Sequence, residues 1–472
     1  MFDVRNKGWI LALLAFAQLI IAIDYTIVFV AVPTIGQELG FAPYNLQWVV
    51  SGYAVPFGGL LLLGGRMSDL LGRRRMFIAG LLLYGVASLA GGLATNPGLL
   101  IGSRAVQGFG GAILAPATLS LIGTLFAEGK ERNRAFSIWG AAGGSGMALG
   151  SLLGGVLTQS FGWPAVFFVN VPLAVIGVGA ALVLLPRASG ARNRRRFDVP
   201  GAVTATAGIT SVVFALVQGP ATGWGAASVV AAAVGVVLLL AFVRIEQRSA
   251  DPLLPLGLLA QRNLRMGVIV ITLFAATLGP LLYFETVYFQ DVHGYSALQT
   301  GLAYLLPTVA IFVGANLGGR IATRIGLHRT LGASLVLAAL GAGLLGITLS
   351  TTASYGVLVP ALLILGLGQG SAFTTMYAAA STGVAPEYQG IGSGLASTGN
   401  QVGNAVGLAI LVAIASQATT GRTGEALRTA TTNGLRQAVL ISAAAVLLTA
   451  ALTLTTTRPR SSSPLNPEGA TR

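Results

Sequence analysis

Fourteen apolar runs of about twenty residues, nearly free of ionisable groups, leave this chain few ways to fold. An α-helix of that length matches the hydrocarbon thickness of a bilayer, and in lipid each backbone N–H and C=O must be paired within its own segment. The runs fall at 9–33, 46–65, 76–94, 98–122, 134–157, 164–186, 200–218, 225–245, 267–289, 299–319, 330–350, 354–378, 391–417 and 436–457. Charged residues make up 9% of the chain, far below the roughly 25% of a soluble protein. The sequence therefore predicts an all-α polytopic membrane protein with fourteen transmembrane helices.

The placement of basic residues orients these helices. Arg66 with Arg73, Arg74 and Arg75, then Lys130, Arg132 and Arg134, then Arg187 to Arg196, Arg244 to Arg265, Arg320 to Arg329 and Arg458 to Arg472 occupy every second connection. The alternate connections carry no Lys or Arg until Arg422, Arg428 and Arg436. This is the positive-inside pattern, with both termini cytoplasmic, and it requires an even number of helices. It also accounts for the formal charge of +14 as a topology signal and an anionic-lipid contact, leaving no reason to invoke nucleic acid. The first run is too long for a signal-peptide core and reads as a spanning helix. The two lysines among many Ala, Gly and Arg residues point to a GC-rich bacterium, hence a multi-pass protein of the bacterial cytoplasmic membrane.

Several chemistries are disfavoured. There is no cysteine, and the two histidines, His293 and His328, fall in predicted connections, so neither a thiolate nor a histidine metal site is expected. No Gly-x-x-x-x-Gly-Lys-Ser/Thr motif is present, which argues against ATP as the energy source. No catalytic cluster is evident, so the chain is expected to be no enzyme and to need no cofactor, a proton serving as coupling ion.

The connection Gly64-Gly65-Arg66-Met67-Ser68-Asp69-Leu70-Leu71-Gly72 is echoed by Gly318-Gly319-Arg320-Ile321-Ala322-Thr323-Arg324-Ile325-Gly326. Leu46, Gln47 and Tyr53 are echoed by Leu298, Gln299 and Tyr304, and Gln107-Gly108 by Gln369-Gly370. Such a parallel repeat divides the chain into a six-helix half (1–197), two extra helices with their linkers (198–265), a second six-helix half (266–457) and a disordered cytoplasmic tail (458–472). Transporters of this build rock one half against the other around a midplane site.

Ionisable residues inside a membrane span are costly and face a cavity or a partner. Asp24, Arg104 and Glu285 are the interior ones, at depths of roughly 13, 9 and 6 Å from the outer helix ends. They can be read as one proton-coupling cluster, since an acid in an apolar cavity can take up a proton on one side and release it on the other, with a cationic substrate competing for the same acid. They can also be read as structural groups satisfied by neighbouring helices or the interface. Gln18, Tyr25, Trp48, Tyr53, Gln107, Tyr283, Tyr288 and Asn316 lie at the same levels and are candidates to line a substrate cavity, although any one of them reads first as an interfacial or packing residue. The turn built on Gly65, Arg66, Asp69, Gly72, Arg73 and Arg74 reads either as a basic topology loop or as a cytoplasmic gate in which Asp69 meets a helix N-terminus or an arginine. Gly146, Gly150, Gly154 and Gly155 have the spacing of a close helix contact, expected at a rocking interface.

These segments resemble the major facilitator superfamily. The turn from Gly65 to Arg74 resembles its signature loop, and fourteen helices resemble its drug:proton antiporter branch. Asp24-Tyr25-Thr26-Ile27-Val28 with Ala31 and Pro33 resembles that branch's first-helix motif. Arg104-Ala105-Val106-Gln107-Gly108 resembles the fourth-helix motif linked to proton transfer, and Gly150 to Gly155 the antiporter motif of helix five. Ser151 stands where that motif commonly has proline, Phe29 where an asparagine is common, and Pro164 where a basic residue is usual. The resemblance implies proton-coupled efflux of amphipathic, often cationic, drugs or toxic organic compounds by a single chain in the bilayer, with Asp69 stabilising the outward-facing state. Export of an endogenous metabolite or lipid by the same fold is the alternative.

Overall fold

The computed structural model describes residues 4–41, 48–186, 198–249, 252, 254, 256–417, 419 and 422–456. The tail 458–472, Gln47 and the arginines between 187 and 196 lie outside the described residues. The helices are α1 (Val4–Glu38), α2 (Trp48–Leu71), α3 (Arg73–Gly92), α4 (Pro97–Leu125), α5 (Lys130–Phe161), α6 (Ala165–Phe168), α7 (Asn170–Leu184), α8 (Val199–Thr222), α9 (Ala226–Glu246), α10 (Arg262–Leu278), α11 (Leu281–Val287), α12 (Ala297–Ala303), α13 (Leu305–Ile325), α14 (Leu327–Thr348), α15 (Tyr355–Ser381), α16 (Gln389–Ser416) and α17 (Gly424–Thr456). No strand occurs among the described residues. They make fourteen membrane-length spans, because α6 with α7, α10 with α11, and α12 with α13 each share one.

Those three spans were expected to be continuous, and proline interrupts each of them. Pro172, Pro280 and Pro307 have no N–H to donate to the carbonyl four residues back, and the breaks fall at or just before them. A π turn over Tyr288–Val292 follows α11. Pro56, Pro116 and Pro360 sit inside unbroken helices, where neighbouring helices hold the geometry. Several helices outrun their apolar segments. α5 begins at Lys130 rather than 134, and α17 at Gly424 rather than 436, since a helix can project into water once its backbone is already paired.

Lipid is as apolar as leucine, so helices in a membrane associate through close packing at small residues. The sequence repeat reappears as equivalent close approaches. Gly150 and Gly154 of α5 press on the Ile23 and Ile27 carbonyls of α1, and Gly403 and Gly407 of α16 press on those of Thr272 and Ala276 in α10. Gly108 meets the Tyr53 carbonyl and Gly370 that of Ile311. This corrects the expectation for Gly146, Gly150 and Gly154: the stripe packs α5 on α1 within the N-terminal set of helices, not between the two sets, and a Cβ on Gly155 would touch nothing. Contact between the sets runs along two seams. At one, Gly65 of α2 meets the backbone of Gly390 and Gly394 in α16; at the other, Gly319 of α13 meets Ser137 and Asn133 of α5.

Helix α8 rides on the first seam. Thr210 fills the space at Gly59, and Phe214 stacks on Trp48 at 5.6 Å. Ala205 and Ile209 share an apolar cluster with Val55 and Leu62 of α2 and Ile391 of α16. α9 packs outside α8 and exposes Val230, Val237 and Leu240.

Candidate functional site

A buried polar node ties five elements of the N-terminal set together. Arg104 and Gln107 are one turn apart on α4 and point the same way. Arg104 Nη1 donates to Asp24 Oδ2 of α1 at 2.8 Å and to Gln107 Oε1 at 2.6 Å, and its Nε donates to the Val49 carbonyl of α2 at 3.0 Å. Gln107 Nε2 donates to Asp24 Oδ1 and to Ser88 Oγ of α3, both at 2.8 Å. Asn170 Nδ2, at the start of α7, donates to Asp24 Oδ1 at 2.8 Å. The guanidinium lies 4.6 Å from the Tyr53 ring centre, a cation–π contact that strengthens on desolvation. Asp24 is 0% and Arg104 2% exposed.

A buried ion pair like this is strongly coupled. Removing one partner strands the other charge, at a cost of about 3–5 kcal/mol. A proton delivered to Asp24 would weaken its bonds to α4 and α7 together, so the node can convert protonation into a change of helix packing.

Glu285 is elsewhere. It lies on α11 and lines a small apolar pocket with Tyr288, Phe289, Leu345, Leu349 and Leu358. Its carboxylate has no hydrogen-bond partner among the described residues. Asp24 and Arg104 thus come together, while Glu285 joins neither. The eight cavity candidates also separate. Tyr53 and Gln107 belong to the node. Gln18 sits against Gly143 of α5, and Tyr25 faces Asn404 of α16. Trp48 is taken up by Phe214, and Tyr283 is 48% exposed. Tyr288 donates to the Ser350 carbonyl at 2.7 Å, and Asn316 donates back to its own helix at Phe312.

The signature turn holds the two sets together at the face that carries the basic connections. Asp69 Oδ1 and Oδ2 accept from the Gly390 and Ile391 N–H groups, each at 2.9 Å, at the start of α16. Arg73 donates to Asp69 at 3.2 Å, to Ser120 at 2.7 Å and to the Pro386 carbonyl. Asp69 therefore meets both a helix N-terminus and an arginine. Arg74 reaches the Leu182 carbonyl at 2.7 Å and so braces α3 on α7, and Arg66 is 2% exposed. Gly72 turns the chain at φ 98°, and Gly326 does so at φ 93° in the repeat, conformations glycine adopts at little cost.

A second clamp stands beside it. Glu128 accepts from the Gly383 N–H at 3.0 Å and from Arg132 at 2.9 Å, and Arg132 reaches the Ser381 carbonyl at 3.4 Å. Sequence reading missed this pair and also Asn170 and Ser88. Glu128 and Arg132 stand at i, i+4, and Asn170 is the one amide inside the sixth apolar run; those were the available signals.

The model of the Major Facilitator Superfamily matches residues 14–408. The chain is 38% identical over 461 residues to a puromycin resistance protein of Streptomyces alboniger, covering 95% of this chain and 90% of the relative. It is 40% identical over 426 residues to a cephamycin export protein of Amycolatopsis lactamdurans, covering 88% of this chain and 86% of that one. It is 33% identical to a tetracenomycin C resistance and export protein of Streptomyces glaucescens, over 86% of this chain and 76% of the relative. Among solved structures, the human organic anion transporter MFSD10 superposes with a TM-score of 0.71 at 15% identity, over 96% of this chain and all of that one. The proton:xylose symporter XylE also gives 0.71, at 13% identity and 97% coverage of both chains.

Proposed function

The chain belongs to the major facilitator superfamily, and from that premise we propose that it is a proton-coupled exporter of amphipathic, toxic organic compounds working by alternating access. The observation that carries this reading is the Asp24 node: an acid at 0% exposure whose three side-chain partners come from α4 and α7. Relatives described as resistance and export proteins support the direction of transport. In this reading the basic face is cytoplasmic and both termini lie there, in the cytoplasmic membrane of a bacterium. The Asp69 and Glu128 clamps keep that face shut while the opposite face is open. Protonation of Asp24 from outside loosens the node and lets the clamps part. A single chain suffices, with no cofactor but the proton.

Both Asp24 oxygens are occupied by Arg104, Gln107 and Asn170, so a cationic compound has no free acid to compete for at that point. Asp24 then couples, and recognition belongs to other residues. The test is uptake of a fluorescent substrate into everted vesicles, comparing wild type with Asp24→Asn. The variant should lose pH-gradient-driven uptake by at least tenfold; undiminished uptake would sink the role given to Asp24.

A second reading, export of a compound the host itself makes, is favoured by the relatives described as export proteins for cephamycin and tetracenomycin C. A growth-inhibition panel in a pump-deficient host, set beside loss of product from the culture medium in a native deletion strain, separates the two.

A further inference from the structure

Between the Asp24 node and the clamps, the two helix sets meet in an aromatic cluster that none of the roles above uses. Trp139 of α5 lies nearly flat on Phe373 of α15, with ring centres 5.5 Å apart and planes 10° apart. Tyr377 closes the corner, 5.2 Å from Trp139 and 5.1 Å from Phe373, and Phe274 of α10 flanks Phe373 at 6.5 Å. Gly140 permits the approach, because a Cβ there would lie 2.9 Å from Thr374 Oγ1. Trp139 stands nine residues from the start of α5 and Phe373 eight from the end of α15, which puts the cluster roughly 12–14 Å in from the basic face.

Two polar groups there are left over. Trp139 is 3% and Thr374 1% exposed, yet neither the indole Nε1–H nor the Thr374 hydroxyl has a hydrogen-bond partner among the described residues. A buried donor without an acceptor is costly, and such groups are rare enough to need a reason. The adjoining cavity beside Tyr377 is about 10 Å³, with no Asp, Glu, Lys or Arg in its lining, so it has room for about one water. With Trp139 stacked directly on Phe373 the site is closed in this state, and its two walls belong to opposite halves.

We infer that this cluster is the recognition site for a flat, uncharged aromatic portion of the exported compound. The inference rests on the exporter reading above and assigns it a substrate class. When the halves part at the basic face, Phe373 leaves Trp139 and the compound's ring takes its place on the indole. An oxygen on that ring then accepts from the Trp139 Nε1–H and the Thr374 hydroxyl. Affinity follows from ring area and an acceptor oxygen rather than from positive charge, and reclosing restores the Trp139–Phe373 stack and expels the compound.

Equilibrium dialysis of the full chain in nanodiscs tests this with two probes, 1,8-dihydroxyanthraquinone (flat, neutral, oxygen-bearing) and tetraphenylphosphonium (cationic, not flat). The anthraquinone should bind saturably and more tightly than tetraphenylphosphonium, and more tightly still to Asp69→Asn, whose clamp is loosened. Trp139→Ala should weaken anthraquinone binding at least tenfold, Thr374→Val about threefold, and Trp139→Phe less than threefold. Should Trp139→Ala not fold, Thr374→Val and Phe373→Leu decide. Anthraquinone binding unchanged in these variants overturns the inference, as does tighter binding of tetraphenylphosphonium or no saturable anthraquinone binding at all. Export in everted vesicles keeps the two readings apart. Export that survives Trp139→Ala with unchanged KM overturns this site alone, whereas no export of any compound by wild type overturns the exporter reading.

Discussion

Arg104 shows how much depends on one side chain. Its three hydrogen bonds run to Val49, Asp24 and Gln107, a fork that lysine's single ammonium cannot reproduce. Arg104→Ala would leave Asp24 buried against Gln107 and Asn170 alone, at a cost of about 3–5 kcal/mol if the acid stays charged. The double variant Asp24→Asn/Arg104→Gln removes both charges and keeps amide hydrogen bonding. Its melting temperature in detergent should recover most of the loss seen in Arg104→Ala, while export stays absent; a double variant as unstable as the single would show that packing of the arginine, not charge balance, holds the site. Asp24 and Arg104 were legible in the sequence because a charge inside an apolar run cannot be ignored, whereas Gln107 stood out only as one of eight polar or aromatic residues at the same levels. Asn170 and Ser88 were not legible, since neutral polar groups cost little enough to pass for ordinary helix residues. Glu285 was legible as an intramembrane acid, but depth along a helix says nothing of which way the helix faces, and it turned out to stand apart.

At the level of elements, the Asp69 clamp joins α2 to the N-terminus of α16. A carboxylate at a helix N-terminus contributes up to about 1–2 kcal/mol in partly buried geometry, so Asp69→Asn should raise the share of molecules open at the basic face by about five- to thirtyfold. Reactivity of a single cysteine placed at Ser393 on α16, beside the closed cavity, measures this against a chain with no other thiol; an unchanged rate would mean that Glu128 and Arg132 hold the face without help. The α1–α5 contact behaves differently. A Cβ at Gly150 would overlap the Ile23 carbonyl and Thr26 Oγ1, and overpacking of this kind costs about 1–3 kcal/mol. Gly150→Ala should therefore lower the melting temperature. Glycine spacing signals that helices touch closely there, and only the fold tells which helices. Hydropathy likewise placed all fourteen spans, yet it could not see where α17 begins, because polar residues beyond the bilayer continue the helix without an apolar signature.

Across the whole molecule, α8 and α9 raise the question of which set of helices they follow. α8 touches α2 and α16, one from each set, and cannot keep both contacts fixed if the sets rock. Its contact with α2 is the tighter. A Cβ at Gly59 would lie 2.9 Å from Thr210 Cβ and 3.0 Å from Thr210 Cα, whereas its contact with α16 runs through deformable apolar side chains. The hairpin should travel with the N-terminal set. A matched pair of disulfides tests this, because a Cβ at Gly319 would lie 3.1 Å from Ser137 Cβ, and both spacings are slightly under the roughly 3.5–4.5 Å a disulfide bridges. Gly59→Cys with Thr210→Cys locks α8 to α2, within one moving body; export should persist at half the wild-type rate or better after oxidation. Gly319→Cys with Ser137→Cys locks α13 to α5, between the two bodies; export should fall at least tenfold on oxidation and return on reduction. Arrest by the Gly59–Thr210 bridge would instead place the sliding surface between α8 and α2 and make the α8–α9 hairpin part of the C-terminal body.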